Sequence, residues 1–349
     1  MSATQSLPRR IARTSAAITA GLVLAGCTAV SPAPTTAPAS NSAAPARPLP
    51  AAAVAPLAIG FAPLRGTIVD PAVMKHPSIV AKIDNHEAAR PQFGLSHTDL
   101  VFEELVEGGL TRYAAVWHSD VPETVGPVRS VRPMDPNIIS SLGGLLAYSG
   151  GQARFVAMAD AAPVKSYTDD RGSGFFRRTS GRSAPHNLVF GAAAAVKANE
   201  TLAPPRAMFG YGVPLTSVPA ATPASHIQTQ FSSARYPAWA WDAATGAWLR
   251  SQEGAPDNDD TGARIHATNV LILRVGIDWR YSPVPDTMIV GSGEAVLANS
   301  GRTLHGTWSK ASRDEPIVLK ADDGSEMRLA PGNIWIELVP TTGSVTVAP

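Results

Sequence analysis

The sequence predicts a two-domain α+β protein of mixed α/β character, an α/β N-terminal domain followed by a mainly β C-terminal domain. Three observations carry that expectation. Over residues 60–220 short β-prone runs alternate with stretches of helical spacing; residues 203–235 are rich in Pro, Ser and Thr with little periodicity; and beyond them nearly every ordered-looking run is short and β-prone. The expected segments are a lipoprotein signal and lipobox over 1–27, an Ala/Pro-rich disordered tether over 28–58, the α/β domain over 59–220 and the mainly β domain over 221–349.

At the N-terminus, Arg9, Arg10 and Arg13 form a basic stretch, Ala16 to Leu24 an apolar one, and Leu24-Ala25-Gly26-Cys27 follows at once. Small residues fit a narrow protease cleft, and the thiol of Cys27 can be alkylated with diacylglycerol, so Cys27 is the expected lipidation site. The apolar stretch is too short for a span of about 20 residues, and no later segment reaches that length without charges. Residues 28–58 hold 12 Ala and 7 Pro, which cannot build a core and read as an extended tether.

From Ser78 the pattern becomes structured. Ile79 to Ile83 is a β-prone run ending at Asp84-Asn85-His86. Asp99 to Val106 and Thr111 to Trp117 are two further runs around Gly108-Gly109, which predicts a hairpin. Asp135 to Leu142 has an acidic start and apolar residues at helical spacing, Leu145 to Tyr148 reads as a strand, and Gln152 to Ala162 as a helix. In the second domain Ile265–Val275, Gly293–Ala298, Arg302–Trp308, Ile317–Lys320 and Ile334–Val339 read as strands, with Asp323-Gly324 as a hairpin turn. Trp117, Trp279, Trp308 and Trp335 are expected to point inward. Trp239, Trp241 and Trp248, with Tyr236, fit either an ordinary alternating strand or an exposed aromatic strip. Asp257-Asn258-Asp259-Asp260 lacks the Gly and Glu of a calcium loop and is expected to be a solvated acidic loop.

Composition excludes several classes of function. Lys+Arg 29 against Asp+Glu 28 gives a net charge of +1, without the basic footprint of a nucleic-acid binder. The single cysteine excludes a disulfide framework and any zinc site needing two thiolates. No serine stands in a Gly-x-Ser-x-Gly elbow, and no cofactor motif is present.

The densest polar cluster lies between Lys82 and Arg132. It comprises Asp84-Asn85-His86, Ala89-Arg90-Pro91-Gln92 with Gly94-Leu95, Glu103, Val106-Glu107-Gly108-Gly109 leading into Thr111-Arg112, and Gly126-Pro127-Val128-Arg129-Ser130; Pro185-His186-Asn187-Leu188 follows later. At these blocks the chain resembles the YerB-like bacterial lipoproteins, the DUF3048 family, closely over residues 64–190. A looser resemblance to the family's C-terminal domain runs from Gly293 to Pro340, through the Trp308 region, Asp323-Gly324 and Gly332 to Ile336. The resemblance implies an envelope lipoprotein whose molecular activity is unsettled. One departure is that Asp84 stands where many members carry Asn, so no role for its carboxylate follows from the family.

Read for chemistry, Arg112, Arg129, Arg132 and Arg182 are planar cationic forks suited to carboxylate or phosphate, and the glycine pairs 108–109 and 150–151 would let backbone amides approach a ligand. The candidate ligand-binding residues are therefore Asp84, Asn85, His86, Arg90, Glu103, Glu107, Arg112, Arg129, Arg132, Arg182, His186 and Asn187. The competing possibility is a rigid ion-pair network that binds nothing. His86 and His186 with Asp84 or Glu107 could instead form an acid/base site. The sequence favours binding of an anionic envelope ligand, or scaffolding of envelope proteins, over an envelope hydrolase. The expected partners are the membrane, through the lipid anchor, and a cell-wall polymer or envelope proteins; no nucleic acid, metal or cofactor is expected, and the expected location is the extracytoplasmic face of the cell membrane.

Overall fold

Most strands that face water on one side alternate apolar with polar residues; the runs Ile79–Asp84, Leu100–Leu105, Thr111–Trp117 and Ile334–Pro340 do not, and every residue in them is buried. Such runs need cover on both faces of their sheet. The computed structural model describes residues 59–349 and supplies that cover; the expected signal, Cys27 and the tether lie outside the described residues.

The four buried runs are adjacent strands at the centre of a 12-stranded mixed sheet. Leu100–Leu105 and Thr111–Trp117 form the expected antiparallel hairpin, with Glu104 opposite Arg112. Its turn takes Gly108 and Gly109 through φ of +70° and +72°, a region open to glycine at little cost. Ile79–Asp84 lies antiparallel to Thr111–Trp117, setting Asp84 opposite Arg112. Leu145–Tyr148 and then Lys165–Thr168 add in parallel. On the other side Ile334–Pro340 runs parallel to Leu100–Leu105, with Glu337 opposite Glu103, and Asn269–Tyr281, Gly291–Asn299 and Arg302–Lys310 continue the sheet. The two regions distinguished in the sequence thus share one hydrogen-bonded sheet.

Two apolar cores sandwich it. One, holding Leu100, Phe102, Met134, Phe155, Trp308 and Ile336, lies under the short helices Asp135–Ile139 and Ala153–Asp160. The other holds Val101, Tyr113, Trp117, Trp239, Trp248 and Trp335 beneath a six-stranded antiparallel sheet built from Ala238–Asp242, Ala247–Gln252 and their neighbours. Trp335 meets Tyr113 and Trp239 edge to face at 5.1 and 5.4 Å. The described fold is sheet-rich with few, short helices, mixed α/β at most, so the helical share expected of the first domain is larger than the one found.

Three smaller expectations are corrected. Trp279 is exposed, because the strand Asn269–Tyr281 runs past the main sheet and its far end pairs only with Val284–Met288. Trp239 and Trp248 are fully buried, which removes the exposed aromatic strip and leaves the alternating strand. Asp257 and Asp259 are buried rather than solvated: Asp257 pairs with Arg250, and Asp259 accepts hydrogen bonds from Thr261 and the Ala263 amide.

Candidate functional site

Where buried strands carry charge, the charge must be paired or turned toward a cavity. Six charged residues interrupt the four central strands: Lys82, Asp84, Glu103, Glu104, Arg112 and Glu337. Alternation sends them to different faces. Lys82 pairs with Glu104 and with Asp135 (2.8 Å), and burial, with Arg112 and Arg132 as neighbouring cations, outweighs Asp135 to lower its pKa to about 8. Glu103 faces the other way. It accepts from Thr111 at 2.7 Å and pairs with Arg250 (2.5 Å), a fully buried guanidinium that also holds Asp257 and lies 4.5 Å over the Trp335 ring. Glu337, beside Glu103, accepts from Trp239 Nε1 (2.7 Å) and Thr229 Oγ1 (2.5 Å); burial, then the Glu103 charge, push its pKa up to about 7.

Asp84 and Arg112, at the strand ends, open onto a cavity of about 200 Å³ lined also by His86, Val106, Glu107, Leu110, Thr111, Arg129, Arg132 and His186. Arg129 is delivered by an extended segment running beside Ile79–Asp84: the Asp84 amide donates to Pro127 O and the Arg129 amide to Lys82 O. Its Nε lies 3.3 Å from Asp84 Oδ2. Arg132 Nε donates to Glu107 Oε2 at 2.8 Å; burial alone would raise the Glu107 pKa, but this hydrogen bond and the arginine charges hold it below the usual carboxylate value. Arg112 donates to Ser130 O at 3.0 Å, and burial, with Arg132 and Arg129 as neighbouring cations, lowers its pKa to about 10.

The two histidines arrive from separate loops. His186 Nδ1 donates to Asp84 Oδ2 at 2.7 Å, while Asp84 Oδ1 accepts from the His86 amide. The imidazoles of His86 and His186 stack with centroids 4.5 Å apart. Three arginines, two carboxylates and two histidines therefore converge from positions as far apart in sequence as 84 and 186. With three fixed positive charges against two negative ones, this cavity suits an anion.

Not every candidate lines it. Asn85 is fully buried, donating to Thr111 and accepting from Arg90 and Gln92. Arg90 turns away to Glu253 (2.8 Å) and Gln252. Glu103 does not line the cavity and is paired with the buried Arg250. Arg182 donates to Ala89 O and Pro91 O and covers the Phe93 ring, holding the 86–93 loop. Asn187 ties its own loop by donating to Arg182 O and accepting from Arg178. The Gly150-Gly151 pair is not at the cavity either; Gly150 O accepts from Val131 and supports the arginine segment. Among the described residues no group of three or more His, Cys, Asp or Glu is placed to hold a metal ion. Asp84, His86 and His186 do meet, but Asp84 is taken up by His186 Nδ1, Arg129 Nε and the His86 amide, and His86 Nδ1 accepts from the Ala88 amide, which leaves His186 Nε2 as the one open donor atom of the three. The sequence reading missed the wall residues Val106, Leu110 and Thr111 and the supporting Lys82, Asp135 and Arg250; a lysine inside the apolar run 79–83 was the available signal for the first support.

The profile described as "Protein of unknown function (DUF3048) N-terminal domain" matches residues 64–204, and the profile of its C-terminal domain matches residues 227–336. The chain is similar to the protein named "Putative lipoprotein YerB" of Bacillus subtilis (strain 168), with 26% identity over 307 residues, 82% of this chain and 88% of that one. The crystal structure of YerB from Bacillus subtilis has the same fold, with a TM-score of 0.72 at 24% identity, covering 82% of this chain and 99% of that chain.

Proposed function

We propose, for a chain that belongs to the DUF3048 family through both of its domains, that it is a membrane-anchored extracytoplasmic lipoprotein that binds an anionic envelope ligand in the Asp84–Arg112–His186 cavity. The observation that carries the binding reading is Arg112. It is a buried guanidinium on the cavity wall with one backbone acceptor, where burial and the neighbouring Arg132 and Arg129 outweigh the carboxylates of Asp84 and Glu107, an arrangement that an incoming anion relieves. The likeness to a Bacillus subtilis protein named a lipoprotein and the Leu24 to Cys27 sequence support the anchor. No helix among the described residues is long and apolar enough to cross a membrane.

The test is retention of the full chain on purified cell-wall material and on anionic lipid vesicles, with Arg129→Ala beside it. Retention on one surface, lost in the variant at unchanged thermal stability, is the expected result. Retention on neither would sink the anionic-ligand reading and favour scaffolding of envelope proteins. For the anchor, Cys27→Ala is expected to move the protein out of the membrane fraction; persistence there would overturn the lipidation assignment. The hydrolase reading is favoured by one observation, the 2.7 Å contact between His186 and Asp84, the pairing a histidine base needs.

A further inference from the structure

The hydrogen bonds of the cavity assign the histidine tautomers. A carboxylate only accepts, so His186 Nδ1 carries its proton to Asp84, leaving Nε2 with a free lone pair. In His86 the Nδ1 accepts from the Ala88 amide, so its proton sits on Nε2. Two under-used guanidiniums line the same cavity. Arg112 is 8% exposed and meets a single acceptor, Ser130 O, while Arg129 Nε is buried without a hydrogen-bond partner, its closest approach being the 3.3 Å to Asp84. The hydroxyl on the wall, that of Thr111, donates to Glu103. A nitrogen nucleophile oriented by a carboxylate, in one cavity with arginine forks that have donors to spare, is suited to accept a phosphoryl group, whose non-bridging oxygens take up those donors.

Resting on the anion-binding reading of this cavity, we propose that its ligand is a phosphoryl group and that His186 accepts that group as a phosphohistidine. The Nε2 lone pair attacks phosphorus, and the bond from phosphorus to the leaving oxygen breaks with its electron pair going to that oxygen. Arg112 and Arg129 hold the non-bridging oxygens, and Asp84 balances the imidazolium character of the phosphorylated ring. Water then attacks phosphorus, the P–N electron pair returns to Nε2, and dihydrogen phosphate departs. The leaving group needs stability as an anion, because His86 Nε2–H belongs to a neutral ring and is a poor acid, and Glu107 is held ionised by Arg132. The substrate class is thus a phosphoric anhydride or an aryl phosphate, not an alkyl ester.

The experiment incubates the full chain with p-nitrophenyl phosphate, follows intact mass and p-nitrophenolate release, and in parallel measures the affinity for inorganic phosphate and for acetate by calorimetry. The expected result is gain of one acid-labile phosphoryl group, mapped by peptide mass to His186. In His186→Asn, whose amide can still donate to Asp84, both the label and the p-nitrophenolate release are lost. Peptide mapping on the unaltered protein locates the label even where the variant fails to fold. Phosphate binding without transfer, or a label on another residue, would overturn the acceptor role and leave anion binding standing. Acetate binding without phosphate binding would overturn the phosphoryl class and with it the acceptor role, leaving anion binding standing, and binding of neither anion would overturn both readings.

Discussion

Glu337 offers a test of the buried charge system on which the site rests. Its carboxyl lies in the core between Trp239 and Thr229, with a pKa raised from 4.5 to about 7 by burial first and by Glu103 second. A group whose folded pKa is raised stabilises the fold fully below its unfolded pKa, and that stability is lost as pH rises through the folded value. Here the window is 4.5 to about 7, and at about 1.4 kcal/mol per unit the loss comes to about 3 kcal/mol. Glu337→Gln removes the charge and keeps the shape. Its amide oxygen can accept from Trp239 Nε1, and the Thr229 hydroxyl can rotate to accept from the amide nitrogen. Urea unfolding of variant and parent at about pH 4.5 and about pH 8 isolates the effect of Glu337 together with its coupling to Glu103. The variant should match the parent to within about 1 kcal/mol in acid and exceed it by about 2–3 kcal/mol in base. A difference that does not change with pH, or a variant weaker than the parent at the higher pH, would refute the argument that burial keeps this carboxyl protonated.

Three further outcomes follow from the same geometry. Lys82→Met leaves Glu104 and Asp135 buried without their cation and should cost about 3–5 kcal/mol in denaturant unfolding, where an unchanged midpoint would contradict the pairing. Asp84→Asn removes a negative charge about 5 Å from an anion held by Arg112 and Arg129, worth about 3 kcal/mol at an effective dielectric of 20 and less at an open mouth; calorimetry with phosphate should show roughly ten-fold tighter binding, and weaker binding would count against an anion site. Trp335→Ala empties the packing against Tyr113, Trp239 and Arg250 and should cost about 3–5 kcal/mol, read as a lowered urea midpoint.

Much of the local structure was legible because it depends on neighbours in sequence. Gly108-Gly109 between two apolar runs gave the hairpin, Leu145 to Tyr148 its strand, and Asp135 with Ile138 and Ile139 a short helix. The convergence of Asp84, Glu107, Arg112, Arg129, Arg132 and His186 was less so, and the candidates that turned away show why. An arginine reads the same in sequence whether its fork meets a ligand or a backbone carbonyl. Arg182 is occupied by Ala89 O and Pro91 O, about ninety positions earlier, and Arg90 by Glu253 and Gln252 far downstream. Trp279 reads as an inward strand residue, but burial depends on whether a second layer reaches that end of the strand.

By itself the sequence determined the family, through ordered blocks spread over more than half of the chain, together with the run of buried strands, the glycine turn, and the stock of charges that those strands carry. Tertiary structure alone decided which charges are spent on one another and which face a cavity. That decision rests on the parallel pairing of Ile334–Pro340 with Leu100–Leu105, which sets Glu337 beside Glu103 under the sheet, and on the extended segment that lays Arg129 against Asp84. Local propensity and periodicity act over a few residues, whereas the partner of a buried charge is fixed by strand register and loop closure across more than a hundred, so charge assignment becomes visible only once the chain has folded.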